Sequence, residues 1–188
     1  LESNAIIQGN KRWETNVPSD LILINGPLKH THEIKSLVVQ LSRTTMPAII
    51  IAKEFSDEVI TTFSVNNRNK TTNVALVEAE GFERESRTEI MEDLAAIFDV
   101  PIYSLDGSTA DSLSSYVPGA CDELSRAIIT PSETILFRTH EVLREEAVER
   151  YGKLKADYDE TKVVGEVLDH GLVRHLQRRM AKYNVVAT

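Results

Sequence analysis

Three short apolar runs, separated by stretches of helical periodicity, constrain this chain more than any other feature. They are Leu21 to Ile24, Ala48 to Ala52 and Val74 to Val77. Runs of that length read as buried strands. Between the first two, Ile34, Leu37, Val38 and Leu41 fall at i, i+3, i+4 and i+7, one face of a helix. Between the second and third, Val59, Ile60 and Phe63 begin another such face. Residues 85–98 carry a third, with Ile90, Met91, Leu94, Ala95 and Phe98 inward. Alternating strand and helix specify an α/β fold with a partly parallel sheet.

Local chemistry sets the expected boundaries. Asn25-Gly26-Pro27 closes the first strand with a turn. Pro47 stops the first helix, because proline disfavours the helical conformation before it. Ser56 is an N-cap, with Asp57 and Glu58 favourable in the following turn. The polar stretch Asn66 to Asn73 turns, and Gly81-Phe82 follows the third strand. Pro101-Ile102-Tyr103 starts a further strand. Ala127 to Thr130 and Thr134 to Phe137 flank Pro131-Ser132-Glu133 as a hairpin-like pair. Glu141 to Tyr183 reads as charged helix, with Leu172, Leu176, Met180 and Tyr183 on one face. No internal repeat, low-complexity tract or domain boundary interrupts the chain. The expected architecture is a layered α/β sheet flanked by helices, with C-terminal helices.

At 188 residues the chain can bury one substantial core. Its net charge of −8 argues against non-specific binding to nucleic acid or anionic lipid. Cys121 is the only cysteine, so an internal disulfide is excluded and a reducing cytosol fits; it reads as a small structural side chain. No apolar run is long enough to span a bilayer, and no signal peptide is visible. The chain begins without methionine, and Ser3-Asn4-Ala5 looks like the scar of tag cleavage. Residues 1–5 are therefore set aside, leaving 6–188 as one domain.

Signals for catalysis or ligand chemistry are weak. Asp106-Gly107-Ser108-Thr109 could cradle phosphate through backbone N–H groups, but no Walker or dinucleotide pattern accompanies it, and a polar turn explains it equally simply. His30, His32 and Glu33 have metal-ligand side chains at a helix start, where histidines two apart do not converge on one ion. They read as exposed polar residues. His140, His170 and His175 are dispersed. Asn69-Lys70-Thr71 matches a glycosylation acceptor and also a plain turn. No carboxylate pair stands in an apolar setting that would separate two pKa values. No site for a catalytic residue, metal or cofactor is identified.

The order of segments along the chain resembles the apical domain of GroEL-type (group I) chaperonins. Met46 to Phe55 is similar to that family's Lys-Pro-Leu-Leu-Ile-Ile-Ala-Glu-Asp-Val strand, and Asn73 to Phe82 to its Lys-Val-Ala-Ala-Val-Lys-Ala-Pro-Gly-Phe. Val65-Asn66 fits its Val-Asn, and Glu92 to Ala95 its Gln-Asp-Ile-Ala. Arg126 to Ile129 resembles Arg-Val-Val-Ile, Ala156 to Asp159 resembles Ser-Asp-Tyr-Asp, and Leu176 to Lys182 resembles Leu-Gln-Glu-Arg-Val-Ala-Lys. The trail covers most of residues 21–188.

The resemblance implies a non-catalytic domain that binds non-native polypeptide, and a co-chaperonin loop, in a groove between two helices. Exposed apolar patches of that kind mark interaction sites. The first groove helix would be about 30–43, with Ile34, Leu37 and Leu41 inward and Lys35 and Val38 toward the groove. The second would be about 56–68, with Val59 and Phe63 inward, Ile60, Ser64 and Val65 toward the groove, and Asn66 beside it. The family also implies a cytoplasmic parent that assembles into rings and holds ATP and Mg²⁺ in another domain. This sequence departs from the pattern in three places. Lys35 and Ser64 stand where large apolar residues are usual. The aromatic N-terminal strand is reduced to Ile6, Ile7 and Trp13. An insertion lies between Asp159 and Leu176. Such divergence is what a phage-encoded member, working in a host cytoplasm, would show. The alternative is a small doubly wound domain that binds a nucleotide or metabolite at the carboxyl ends of its strands.

Overall fold

The structure is a computed structural model that describes residues 3–6, 12–79, 84–105, 111–131, 133–140, 143–163, 176–177 and 179–180. In chain order its first elements are β1 (Ser3–Ile6), β2 (Trp13–Thr15), β3 (Asp20–Leu28), α1 (Thr31–Leu41), β4 (Ala48–Phe55) and α2 (Asp57–Arg68). Then come β5 (Val74–Ala79), α3 (Arg84–Phe98), β6 (Ile102–Ser104), β7 (Asp111–Ser112), β8 (Leu124–Ile129), β9 (Thr134–Arg138) and α4 (Glu145–Val163).

The main sheet runs β1-β5-β4-β3-β6-β7. β3, β4 and β5 are parallel neighbours, so α1 and α2 are the crossovers between them. The apolar runs are uninterrupted because successive residues enter two different cores. Leu21, Leu23, Ile49, Ile51, Ala75 and Val77 share one core with Met91, Leu94 and Ile97 of α3. Ile22, Ile24, Ile50, Ala52, Val74 and Leu76 share the other with Ile34, Leu37 and Leu41 of α1 and Val59 and Phe63 of α2. Each large side chain so buried contributes about 1.5–3 kcal/mol. The mixed α/β class and the burial of both helix faces follow directly from the sequence periodicity.

Several expectations are corrected. Asn25-Gly26-Pro27 does not end the first strand: β3 continues through it, with a register shift between Ile24 and Pro27. Proline has no N–H to give the ladder, and a local irregularity accommodates it. There are two sheets among the described residues, and the expected hairpin belongs to the second. β2, β8 and β9 form a separate antiparallel layer, in which Trp13 faces Ile129 and the expected hairpin pairs Ile128 with Ile135. Ser3, Asn4 and Ala5, set aside on sequence, pair antiparallel with Ala79, Glu78 and Val77 of β5. Such a ladder uses backbone groups, so no side-chain pattern announced it.

α4 docks against α3 through charge as well as apolar contact. Asp93 of α3 is completely buried and accepts from Arg150 Nε at 2.9 Å and Arg179 Nε at 2.9 Å. Leu176 is buried and Met180 packs on the same core. Gly81-Phe82, the Asp106 to Thr109 loop, His170, Leu172, His175, Tyr183 and the insertion beyond Val163 lie outside the described residues.

Candidate functional site

α1 and α2 lie side by side on one face of the sheet, and polar contacts fix their starts. The Glu33 carboxylate accepts the backbone N–H groups of Lys29 at 2.6 Å and His30 at 2.8 Å, capping α1. Ser56 caps α2 by accepting from the Val59 N–H at 3.3 Å, and its hydroxyl donates to the Lys29 carbonyl at 2.6 Å. Glu58 then crosses between the helices. Its carboxylate accepts from the Thr31 hydroxyl at 2.5 Å and the Thr31 N–H at 2.9 Å. Those two bonds, with His30 nearby, hold the Glu58 carboxyl below its usual range against a slight opposing effect of burial.

The far end of α2 is also specified. Lys70 adopts the left-handed region at φ 58°, its N–H reaches the Asn67 carbonyl at 3.0 Å, and the Thr71 N–H reaches the Asn66 carbonyl at 2.9 Å. This is a Schellman termination with lysine where glycine is usual. The Asn67 side chain donates to the Val74 carbonyl at 2.7 Å and accepts the Val74 N–H at 3.0 Å, pinning the helix end to β5.

Between these anchored ends the proposed groove residues fall in different environments. Lys35 is exposed. Val38 and Ile60 are half-buried and pack against the core beneath the helices. Val65 is 47% exposed, whereas Ser64 is 8% exposed and offers little surface. Asn66 is half-buried, with its amide donating to the Thr62 carbonyl at 2.8 Å.

The other sequence candidates are occupied structurally. The His30 and His32 rings stack with centroids 5.4 Å apart, while Glu33 is engaged in capping. Among the described residues no three His, Cys, Asp or Glu side chains gather where they could hold a metal ion. Cys121 is buried, its S–H donates to the Phe98 carbonyl at 3.4 Å, and burial pushes its thiol up to about 11. It is therefore poorly suited to nucleophilic work at neutral pH. At the carboxyl ends of the strands, Lys53 donates to Thr88 at 2.9 Å, and Glu78 accepts the Phe55 N–H at 3.0 Å. No helix among the described residues is long and apolar enough to cross a membrane.

No protein-family model matches the chain. Over 123 residues it is 28% identical to chaperonin GroEL 3 of Psychromonas ingrahamii. That similarity supports a chaperonin-related relationship. The match takes in 65% of this chain and spans only 22% of that chaperonin's length.

Two features of this surface escaped sequence reasoning. Val39, at 43% exposure, is an apolar surface residue on α1 that fell outside the periodic face. A cleft at the ends of α1 and α2 is bordered by Arg43, Arg68 and Lys70. The available signal was a basic residue just beyond one helix and two more around the end of the next, in an acidic chain.

Proposed function

We propose that this chain is a chaperonin apical-type domain that captures non-native polypeptide on the α1–α2 surface. The observation that carries the reading is Val65, left 47% exposed on α2, with Val38 and Ile60 half-open on two helices whose starts are tied together. A preformed surface spares a client the cost of ordering its receptor. Burying one large apolar side chain contributes about 1.5–3 kcal/mol, so even part of that gain from each position sums to useful affinity. Lys35 and Asn66 complete the surface and make it less apolar than a uniform groove, while Ser64 contributes little to it.

The same reading extends to partners. A co-chaperonin loop would use the same strip, and the intact parent would be a cytoplasmic ring driven by ATP and Mg²⁺ bound in another domain. This chain would contribute binding, without a catalytic step, and would be monomeric or only weakly associating when isolated. The test is fluorescence anisotropy of an apolar peptide titrated with the purified chain, with ATP turnover followed in parallel. Saturable peptide binding without turnover is expected. ATP turnover abolished by Asp106→Ala would overturn the reading in favour of a nucleotide-binding enzyme.

A further inference from the structure

The groove lines run into a basic cleft. Along α1 the positions Lys35 and Val38 lead by helical spacing to Ser42, and along α2 the positions Ile60 and Ser64 lead to Asn67 and Arg68. Ser42, Asn67 and Arg68 all line a cleft of about 800 Å³ at the carboxyl ends of the two helices. Its remaining wall includes Trp13, Arg43 and Lys70. Arg43, Arg68 and Lys70 are exposed, and none forms an ion pair with another described residue. The chain around them carries 29 acidic and 21 basic residues, so this concentration of unpaired positive charge runs against the overall balance.

Resting on the polypeptide-binding reading above, we infer that the preferred client segment is apolar with a cluster of acidic side chains immediately beside it. The apolar part would cover Val38, Ile60 and Val65. The carboxylates would lie toward Arg43, Arg68 and Lys70, where guanidinium groups offer paired donors. At the opposite end of the helix pair Glu33 and Glu58 stand with Lys29, so positive charge is not concentrated there as it is around Arg43, Arg68 and Lys70. The groove thus has a direction as well as an apolar strip. Within the cleft lining, Asn67 is held to Val74 on both its amide and carbonyl sides.

Each exposed cation should contribute roughly two- to fivefold to binding of such a segment at low salt, and the effect should be screened as salt is added. The experiment uses fluorescent, C-terminally amidated peptides that share one apolar core and carry a flank of aspartates, asparagines or lysines. They are titrated into the purified chain and into the Arg43→Gln/Arg68→Gln/Lys70→Gly variant. Lys70→Gly suits the left-handed backbone there, so the variant should fold, as its urea midpoint will verify. The aspartate peptide should bind the parent about tenfold more tightly than the asparagine peptide, and the variant should bind both alike.

If aspartate and asparagine peptides bind the parent equally, this inference is wrong while the groove reading stands. If none of the peptides binds, the groove reading fails and takes this inference with it. An aspartate preference that survives in the variant would place the attraction elsewhere and overturn the assignment. So would a gain seen only with a free carboxyl terminus on the asparagine peptide, which would make the cleft a chain-end site.

Discussion

The Glu58 carboxylate of α2 accepts the backbone N–H of Thr31, the first residue of α1, at 2.9 Å. A side chain from one helix therefore caps an otherwise unpaired donor of the other, and together with the Ser56 hydroxyl on the Lys29 carbonyl it sets the spacing between the two helix starts.

Glu58→Ala should loosen that spacing. Because the Glu58 carboxyl is held below its usual value of 4.5, the ionised group stabilises the folded chain above that value and loses the effect as pH falls through its lowered one. Glu58→Ala should be less stable than the parent at pH 7, with the difference fading under acid conditions. Urea midpoints from pH 7 down to about pH 3 measure this. A difference independent of pH would show that the loss is packing and not the charged cap.

Asp20 should behave oppositely. It is 6% exposed, and burial raises its carboxyl above the usual value despite the Tyr116 hydroxyl at 2.5 Å and the Gly119 N–H at 3.1 Å. The folded state then holds the proton more tightly than the unfolded one, so this group costs stability as pH rises through that window. Asp20→Asn keeps an oxygen for both donors and carries no charge. It should be at least as stable as the parent at pH 7, and its advantage should shrink toward about pH 4. A destabilised Asn variant at pH 7 would mean that the ionised carboxylate is needed.

The charged joint between α3 and α4 should be among the most sensitive points in the fold. Asp93 is completely buried between Arg150 and Arg179, with Arg179 Nη2 also donating at 3.0 Å. Arg150 and Arg179 have further partners in Glu92 at 2.6 Å and Glu89 at 2.8 Å. Asp93→Ala would leave buried positive charge without its central partner, which costs roughly 3–5 kcal/mol. Equilibrium unfolding should show that loss. A loss under about 1 kcal/mol would mean that Arg150 and Arg179 swing out to solvent at little cost.

Periodicity carried the parts of the fold that depend on burial. The apolar runs became β3, β4 and β5 because both faces of that sheet are covered, and Ile34, Leu37, Leu41, Val59 and Phe63 are buried because helical spacing gives them one direction. Beyond the β8–β9 hairpin, strands too short to carry a pattern were not legible. β2 has three residues and β7 two, too few to show alternation, and Ser3–Ile6 pairs without an apolar signature. Asp93 looked like an ordinary acidic helix residue, because the arginines that bury it come from positions 150 and 179. The basic cleft was hidden for a similar reason. Its residues follow two separate helices, and only the parallel β3-β4-β5 arrangement brings those helix ends together. The resemblance also could not grade exposure. It assigned Val38, Ile60 and Val65 to one groove, yet Val65 is open while the other two rest partly on the core.

Polypeptide capture on α1 and α2 is tested most directly by comparing Val65→Ser with Phe63→Ala in the same peptide titration and urea series. Val65 is 47% exposed and Phe63 only 1%. Val65→Ser should leave stability within about 0.5 kcal/mol of the parent and weaken an apolar peptide several-fold, up to about tenfold. Phe63→Ala should lose about 3–5 kcal/mol of stability. Ile60→Ser should fall between them in stability, because its side chain is shared between core and surface. Undiminished peptide affinity in Val65→Ser, with folding intact, would contradict the assignment of this surface to polypeptide binding.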